Sequence, residues 1–463
     1  MSYLDRDEDT ICAMATATGL AGISVIRICG PYCESIVRKC CSFLPDQLES
    51  HRVYYGWFKS HLEKEDIDEV LVTYFTEGRS FTGDHTFEIS CHGSPYITSR
   101  IIQELVQSGG RIAEKGEFTY RAFSNGRIDL SQAESVLSLI ESHSKKSSQL
   151  ALRQLKGELS YKFEDIENRL LNLAAHLEVN IDYSEEEILQ VGKDKIAPPL
   201  EEIKKRVEGL LQTFNSGRII KEGFFVALVG APNVGKSSLL NMFVEKDKAI
   251  VTEIEGTTRD VIEEKVMIDG VSITFFDTAG LRITEDKVEK IGIEKTVRTI
   301  EEADLVCWVC DAWNLKAKEE LSEFVSSHLK AQNRSKLVVI RNKIDLNETS
   351  SDDGFDQGIA SHIFKTSAKL NTGKIEFFDF LKDLVSFEFS ENSAQLSHLR
   401  QFELLSKIYN SLDSTLNSLH KELSPELIIF ELQESIVAIH EILGKEFDDQ
   451  VMDRVFKQFC LGK

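Results

Sequence analysis

A glycine-rich segment with a lysine and a serine lies near the middle of the chain. Residues 230–237 are G-A-P-N-V-G-K-S, directly after the apolar run 224–229 and before a segment of helical pattern. Between a strand and a helix, this spacing is that of a P-loop, whose backbone N–H groups and helix N-terminus face phosphate oxygens. Lys236 would reach the outer phosphates, and the Ser237 hydroxyl would bind Mg²⁺. The motif predicts a nucleoside triphosphate site; the alternative is a glycine turn that matches by chance.

A second motif predicts that the base is guanine. Residues 342–345 are N-K-I-D and follow the apolar run 337–340. The Asp345 carboxylate could accept two hydrogen bonds from the guanine N1–H and amino group, a donor pair that adenine lacks. Lys343 could lay its methylenes along the base, and T-S-A-K at 366–369 resembles the loop that backs the base in GTPases. Alone, N-K-x-D is a weak signal, but in order behind a P-loop it is a strong one.

Two segments between these motifs could sense the terminal phosphate. Residues 273–280 form a buried strand that ends in D-x-x-G. There Asp277 could hold the Mg²⁺ shell, and the Gly280 amide could touch the γ-phosphate. Thr258, in G-T-T-R-D at 256–260, would supply a second hydroxyl to the metal. Asp277 could instead be a turn residue at the end of a strand, but its place in the series favours the metal role.

Leu281 stands where many GTPases have the glutamine that orients the attacking water. A leucine cannot polarise water, and Glu289 in the next charged turn is the nearest carboxylate. Asn233 could help to hold K⁺ beside the phosphates, with backbone carbonyls of residues 252–257, in the place of an arginine finger. Two G domains meeting face to face would order that loop. The alternative is that Asn233 only shapes the P-loop and Glu289 is a solvated helix residue.

These motifs together define a predicted GTP site. Its Mg²⁺ ligands are Ser237 and Thr258. Its K⁺ ligands are Asn233, Thr252, Ile254 and Thr257. The residues predicted to contact the nucleotide are Asn233, Val234, Gly235, Lys236, Ser237, Ser238, Thr252, Glu253, Ile254, Glu255, Gly256, Thr257, Thr258, Asp277, Thr278, Ala279, Gly280, Asn342, Lys343, Asp345, Ser367, Ala368 and Lys369.

The composition is that of an ordinary soluble globular protein. The chain has 463 residues, of which 42% are hydrophobic and 28% charged, a length that suggests about three domains. The acidic N-terminus lacks a signal-peptide core, and no apolar run reaches transmembrane length. We therefore expect a cytoplasmic protein without a membrane partner. The net charge of −22 argues against broad electrostatic binding of nucleic acid, so an RNA partner must meet a local basic patch or a second protein.

Nine cysteines without regular spacing argue against a disulfide framework and fit a reducing compartment. Cys307 and Cys310 have the spacing of a redox or zinc pair. They lie in the strand-like run 304–311, however, where positions three apart face opposite sides of a sheet. No second pair of cysteines or histidines accompanies them. We expect both to be buried structural residues.

The chain separates into zones of different pattern. Residues 1–125 alternate short strand-like runs with glycine turns and a helical stretch, which predicts an α+β domain. Residues 126–221 are helical, beginning at a capping box that Ser131 and Glu134 would form.

The GTPase zone spans residues 222–385, and residues 386–463 are helical again. The simplest architecture packs the two helical zones together as one all-α bundle that is discontinuous in sequence. An α/β P-loop GTPase domain of the Ras-like type is then inserted in one of its loops. The predicted fold class is a multidomain protein with these three kinds of domain.

Several short motifs outside the GTPase zone are specific. They are S-F-T-G-D at 80–84, C-H-G at 91–93, G-E-F-T-Y-R-A-F at 116–123, N-G-R-I-D-L at 125–130, T-E-I-E-G-T-T-R-D at 252–260 and C-L-G-K at 460–463. With these motifs and the inserted G domain, essentially the whole chain resembles the MnmE (TrmE) family of tRNA modification GTPases.

The resemblance implies a reaction and partners. Together with the flavoprotein MnmG, in a heterotetramer, a member of the family adds an aminomethyl or carboxymethylaminomethyl group to C5 of the wobble uridine of certain tRNAs. Family members form homodimers through the N-terminal domain, whose fold is tetrahydrofolate-binding-like. The resemblance also implies a catalytic role for Cys460; by residue type alone it could be a nucleophile, a redox group or an inert apolar side chain.

The one-carbon unit implied by the resemblance comes from a tetrahydrofolate derivative, 5-formyl- or 5,10-methylene-. The matching positions are Arg27, Glu88 and Arg127, with the terminal Lys463 reaching in. Glu88 could accept the amidine-like edge of a pterin in bidentate fashion, and cations suit the glutamate tail. Glu88 alone could equally be a solvent-facing strand residue.

Two departures from the family pattern bear on folate. The loop 15–22, A-T-A-T-G-L-A-G, lacks the prolines and arginine that are usual there. Arg127 stands where lysine is more usual, which keeps the charge but changes its geometry.

Two other interpretations share part of these motifs. The chain could be a GTPase of another class, such as a ribosome-assembly or membrane-associated switch, but such a protein has no reason to carry the N-terminal domain or a terminal cysteine. It could also be a folate-binding module with a degraded G domain. Degradation does not fit the motif residues of the G domain that are intact, which are Lys236, Ser237, Thr258, Asp277 and Asp345.

Overall fold

The structure is a computed structural model that describes most of the chain. The described residues are 9–182, 188–244, 262–277, 299–312, 317–328, 336–346, 360–386, 394–421, 423, 425–446, 452, 455–459 and 462. They divide into two compact units. The first contains Met1–Ile140, Leu152–Leu211 and Leu399–Lys463, and the second contains Glu141–Ala151 and Gln212–His398.

The first unit begins with a six-stranded sheet and three helices. They are β1 (Ile11–Met14), β2 (Ala21–Cys29), α1 (Cys33–Cys40), β3 (Arg52–Lys59), β4 (Asp66–Phe75), β5 (Thr86–Gly93), α2 (Pro95–Gln107), β6 (Arg111–Ile112) and α3 (Glu117–Ser124). The strand order is β3-β4-β5-β2-β1-β6. All neighbouring strands are antiparallel except β1 and β6.

One face of this sheet forms the core of the N-terminal part. Apolar residues alternate along the strands, and since successive side chains point to opposite faces, one face of the sheet packs against α1 and α2. Core residues on it include Ile26, Ile28, Val70, Val72, Phe87 and Ile89. Arg27 and Glu88 alternate with these residues and are directly opposite each other on β2 and β5. The predicted α+β fold is confirmed.

Five helices follow: α4 (Leu130–Ile140), α5 (Lys145–Leu155), α6 (Glu158–Asp182), α7 (Ile188–Gln212) and α8 (Phe214–Glu222). The capping box at the start of α4 is not the predicted one. The Gln132 N–H donates to Asp129 Oδ1 at 2.9 Å, and the Asp129 N–H donates to Gln132 Oε1 at 3.0 Å. Ser131 and Glu134 are buried inside the helix instead, so the prediction of a box formed by these two residues was wrong.

The second unit is built around another six-stranded sheet. Its elements after α8 are β7 (Phe224–Val229), α9 (Lys236–Val244), β8 (Ile262–Ile268), β9 (Val271–Asp277), β10 (Leu305–Asp311), α10 (Ala317–His328), β11 (Leu337–Asn342), β12 (His362–Lys365) and α11 (Lys374–Val385). The order is β12-β11-β10-β7-β9-β8. Only the pair β8 and β9 is antiparallel. In such a sheet, ligands bind beyond the carboxyl ends of the parallel strands.

Two long helices follow the second sheet and belong to the first unit: α12 (Leu399–His420) and α13 (Pro425–Leu443). They pack with helices that precede the second unit in sequence. Arg400 of α12 forms an ion pair with Glu134 of α4 at 2.8 Å, and Lys445 forms one with Glu167 of α6 at 2.6 Å. The helical bundle is therefore discontinuous in sequence, and the α/β unit is inserted between its two parts, as predicted.

Cys307 and Cys310 are both buried on β10. They contribute to separate hydrophobic clusters on opposite sides of the sheet. Burial raises the pKa of both thiols, and that of Cys310 reaches about 12. Within the described ranges, no three His, Cys, Asp or Glu side chains are grouped so that they could hold a metal ion. The prediction of burial is confirmed. No described helix is long and apolar enough to cross a membrane.

Candidate functional site

The P-loop connects β7 to α9 at the carboxyl edge of the second sheet. Gly235 has a φ of 93°, a left-handed conformation that glycine adopts at little cost. A Cβ at this position would lie 2.4 Å from Asn342 Nδ2. The glycine therefore lets the P-loop backbone approach the segment 342–345 that is predicted to bind the base.

Lys236 is buried within the P-loop. Its Nζ donates hydrogen bonds to the backbone carbonyls of Gly230, at 2.7 Å, and Ala231, at 2.9 Å. Burial lowers the pKa of Lys236, while the Asp277 carboxylate acts in the opposite direction. Phosphate oxygens could replace the two carbonyls as acceptors, and their negative charge would favour the ammonium form. Lys236 thus lies where the motif predicts that it contacts phosphate.

Ser237 and Asp277 meet beside the P-loop. Ser237 is in the first turn of α9, and Asp277 is the last residue of β9, the strand next to β7. The Ser237 hydroxyl donates a hydrogen bond to Asp277 Oδ2 at 2.7 Å. A hydroxyl and a carboxylate are oxygen ligands of the kind that Mg²⁺ prefers. The two residues therefore fit the predicted magnesium site.

Asn342 joins the base-binding segment to the P-loop. Its side chain is fully buried, and its Nδ2 donates to the Val234 carbonyl at 2.9 Å. Its Oδ1 accepts a hydrogen bond from the Ala368 N–H at 3.2 Å. The Ser367 hydroxyl donates to Asp345 Oδ1 at 2.5 Å. These bonds hold the Asp345 carboxylate in a fixed place relative to the P-loop.

Lys343 makes a second link to the P-loop. Its backbone φ is 63°, and its Nζ donates to the Asn233 carbonyl at 2.6 Å. The Asp311 carboxylate, at the end of β10, lies 3.0 Å from the same nitrogen. Sequence analysis missed Asp311, because an aspartate after a buried strand belongs to no predicted motif. It could have been found only by aligning the apolar runs of β10 and β11 as adjacent parallel strands, which places Asp311 opposite Asn342.

The described residues of the predicted GTP site lie together along this edge of the sheet. They are Asn233, Val234, Gly235, Lys236, Ser237, Ser238, Asp277, Asn342, Lys343, Asp345, Ser367, Ala368 and Lys369. The remaining predicted residues lie outside the described ranges: Thr252, Glu253, Ile254, Glu255, Gly256, Thr257, Thr258, Thr278, Ala279, Gly280, Glu289, Cys460 and Lys463.

A second candidate site lies in the first unit, around Arg27 and Glu88. Arg27 Nε and Nη2 both donate to Glu88 Oε1, at 3.1 and 2.8 Å. The guanidinium carbon is 5.5 Å from the ring centroids of both Phe81 and Phe118, within the range of a cation–π contact. Two aromatic rings and one carboxylate thus fix the arginine, and the arginine in turn fixes Glu88.

Arg127 contacts the loop 78–84 that also carries Phe81. Its Nη1 donates to the Gly78 carbonyl at 3.0 Å. The loop therefore contacts both predicted folate-binding arginines, Arg127 through Gly78 and Arg27 through Phe81.

Gly462 lies against the strand β1, which pairs with β2. Its φ is 93°, and a Cβ on it would lie 1.9 Å from the Met14 carbonyl oxygen. Ala13, the neighbour of Met14, is paired with Arg27. Gly462 is therefore packed against the end of β1, next to the position that is paired with Arg27.

Comparisons with known proteins cover the whole chain. The family model for the MnmE helical domain matches residues 130–460, and that for the GTP-binding protein TrmE N-terminus matches residues 10–127. A tRNA modification GTPase MnmE of Bdellovibrio bacteriovorus is 46% identical over 481 residues, which cover 99% of this chain and 98% of that protein. Its counterpart in Acetivibrio thermocellus is 38% identical and covers 98% of this chain and 99% of that protein.

Among solved structures, the G domain of the FeoB iron transporter of T. maritima is 26% identical. It covers 35% of this chain and 99% of its own, with a TM-score of 0.27.

Proposed function

Because the chain belongs to the MnmE (TrmE) family of tRNA modification GTPases, we propose that it hydrolyses GTP in the course of tRNA modification. With the flavoprotein MnmG, it adds an aminomethyl or carboxymethylaminomethyl group to C5 of the wobble uridine of certain tRNAs. The one-carbon unit comes from a tetrahydrofolate derivative.

The link between Asn342 and Val234 is the observation that carries the GTP part of the proposal. This bond, at 2.9 Å, joins the base-binding segment to the P-loop, so that base and phosphates are bound by one rigid edge. Asp345, held by Ser367 at 2.5 Å, accepts the N1–H and amino group of guanine. Adenine offers no such pair of donors, and this difference gives the specificity for GTP.

The phosphate end of the site stabilises charge. Lys236 leaves its two loop carbonyls and binds the outer phosphates. There its positive charge stabilises the negative charge that develops on the transferred phosphoryl group. Ser237 and Thr258 would bind Mg²⁺, and Asp277 would hold the ligand shell of the ion. When bound, the ion neutralises charge on the β- and γ-phosphates.

The attacking water needs a group other than glutamine, since residue 281 is leucine. The Asn233 carbonyl is held by Lys343 at 2.6 Å, so the amide side chain is placed on a fixed backbone next to the phosphates. There it can contribute an oxygen to K⁺ together with loop carbonyls of Thr252, Ile254 and Thr257. We propose that Glu289 acts on the water when two G domains meet face to face.

Residues 1–125 form the folate-binding and dimerisation domain in this proposal. Glu88 accepts the pterin edge, while Arg27, Arg127 and Lys463 contribute positive charge. The pair of Arg27 and Glu88 fits such a ligand, because the arginine holds the carboxylate in one orientation. The folate, when bound, supplies a one-carbon unit.

The other domain boundaries that we propose are 126–221 and 386–463 for the two helical parts and 222–385 for the GTPase domain. We further propose a cytoplasmic homodimer. With a net charge of −22, tRNA binding needs a local basic patch or the MnmG subunit, because a strongly negative surface repels phosphates.

Mass spectrometry of the wobble nucleosides of tRNA tests this function. In cells that lack the gene, the modified uridines should disappear, and the unmodified or partly modified forms should accumulate. Restoring the gene should restore the modification. If the nucleosides are the same with and without the gene, the protein is a GTPase of another class.

A further inference from the structure

Asp311 and Lys343 lie side by side because of the register of two parallel strands. Asp311 ends β10 and is paired with Asn342, the last residue of β11. The chain then turns at Lys343 with a φ of 63°. The next strand therefore delivers a lysine beside the aspartate, although 32 positions separate the two residues in sequence.

The lysine ammonium has two anchors. It lies 3.0 and 3.3 Å from the two carboxylate oxygens of Asp311 and 2.6 Å from the carbonyl oxygen of Asn233 in the P-loop. An ammonium has three N–H donors, so the carboxylate and the carbonyl together fix the end of this flexible side chain. The methylenes between the Lys343 backbone and its ammonium are thereby held in one conformation.

We propose that Asp311 is a positioning residue for nucleotide binding, which acts through Lys343. By fixing the ammonium, it keeps the lysine methylenes on the face of the base and keeps the P-loop carbonyl of Asn233 in place. Loss of the carboxylate frees the side chain, and the nucleotide then dissociates faster. This inference rests on the proposed binding of guanine nucleotides by the chain.

The size of the effect follows from exposure. About a third of each side chain is accessible, 32% for Lys343 and 33% for Asp311. Ion pairs this exposed contribute modestly, so we expect Asp311→Asn to raise the dissociation rate of the nucleotide by roughly fivefold.

A matched control is available in the same unit. Lys146 and Asp269 also form an ion pair at 3.0 Å, and Asp269 stands in the turn between β8 and β9, before Gly270. Asp269→Asn removes the same charge from the same kind of pair. It should leave the dissociation rate unchanged.

The experiment follows the release of a fluorescent GDP analogue from the full-length protein by stopped flow. Four proteins are compared: wild type, Asp311→Asn, Lys343→Ala and the double variant. If the aspartate acts through the lysine, Asp311→Asn accelerates release in the wild-type background and has no further effect in the Lys343→Ala background. Asp311→Ser is the second variant, to be used if the asparagine lowers the unfolding temperature.

Three results would overturn the inference: unchanged release from Asp311→Asn, the same acceleration in both backgrounds, or an equal acceleration by Asp269→Asn. A wild-type protein that binds no GDP analogue is a different outcome. It would refute the proposed nucleotide site itself, and this inference with it.

Discussion

The Ser237 hydroxyl and the Asp277 carboxylate are joined by a hydrogen bond of 2.7 Å. Ser237 lies in the first turn of the helix after β7, and Asp277 ends the neighbouring parallel strand β9, so the bond connects two segments that are 40 positions apart in sequence. A divalent cation inserted between these oxygens would replace the proton of the hydroxyl as the partner of the carboxylate. The fold thus brings together in advance two groups that the sequence predicts to serve one Mg²⁺.

Asp277→Asn should raise the Mg²⁺ concentration needed for GTP hydrolysis. An amide oxygen carries no charge and holds the ion less strongly, so we expect the requirement to rise roughly 10- to 100-fold. Rates measured across a Mg²⁺ titration check this. Ser326→Ala, which removes an exposed hydroxyl bonded only to the nearby Glu323 carbonyl among described contacts, serves as the control. An unchanged Mg²⁺ curve for Asp277→Asn would remove the carboxylate from the metal site.

Asp345→Asn should change the preferred base from guanine to xanthine. The amide has one acceptor oxygen and cannot accept from both the N1–H and the amino group of guanine, but its NH₂ can donate to the 2-oxo group of xanthine. Two hydrogen bonds to a charged group are worth about 3 to 6 kcal/mol, so GTP binding should weaken at least roughly 100-fold. Competition between GTP and XTP measures the switch.

The control for the change in base preference is Asp379→Asn. Asp379 is exposed on α11, and its substitution should leave the preference for GTP unchanged. If Asp345→Asn still prefers GTP, the base is recognised by other groups.

Short-range patterns were enough to predict the elements that carry the site. Short strand-like runs between glycine turns predicted the α+β domain, and the apolar run before the P-loop predicted the strand that carries it. Both signals depend on neighbours in sequence, and the structure confirms these elements.

Contacts between distant segments could not be predicted. At the start of α4, the residues 129–132 and 131–134 both fit a capping pattern. Glu134 is drawn instead into a buried ion pair with Arg400, 266 positions away, and the cap falls to Asp129. Asp311 could not be predicted for the same reason, because its contact with Lys343 follows only from the register of β10 and β11.

Gly462→Ala should impair tRNA modification as severely as Cys460→Ser, while GTP hydrolysis by both variants stays nearly intact. At φ 93° a Cβ would lie 1.9 Å from the Met14 carbonyl, so Gly462, two residues after Cys460 in sequence, must move away from β1. Both activities should be assayed side by side, in vitro, on one tRNA substrate.

Gly157→Ala is the control for the glycine. Its φ is 87°, similar to that of Gly462, but its nearest contact would be the end of the Gln132 side chain at 3.4 Å. This variant carries the same backbone strain without moving the terminus and should modify tRNA normally. Normal modification by Cys460→Ser would remove the cysteine from the mechanism.

GTP hydrolysis should depend on potassium. Asn233 and the carbonyls of residues 252–257 would form an oxygen cage that fits K⁺, whereas the smaller Na⁺ would be held poorly and would support little activity. Asn233→Ala should erase the difference between the ions. Because Asn233 has a φ of 65°, alanine there also costs roughly 1 kcal/mol in backbone strain. Asn233→Gly removes the amide without that strain and should lose ion selectivity to the same extent.

Glu289→Ala tests the effect of the carboxylate on the attacking water separately from the effect of K⁺. If the carboxylate acts only in the transition state, turnover falls while the affinity for GTP changes little. The measurements are kcat in KCl and NaCl at matched ionic strength, and nucleotide affinity by titration. Equal rates of the wild type in the two salts would favour the alternative, in which Asn233 only shapes the P-loop and Glu289 is a solvated helix residue.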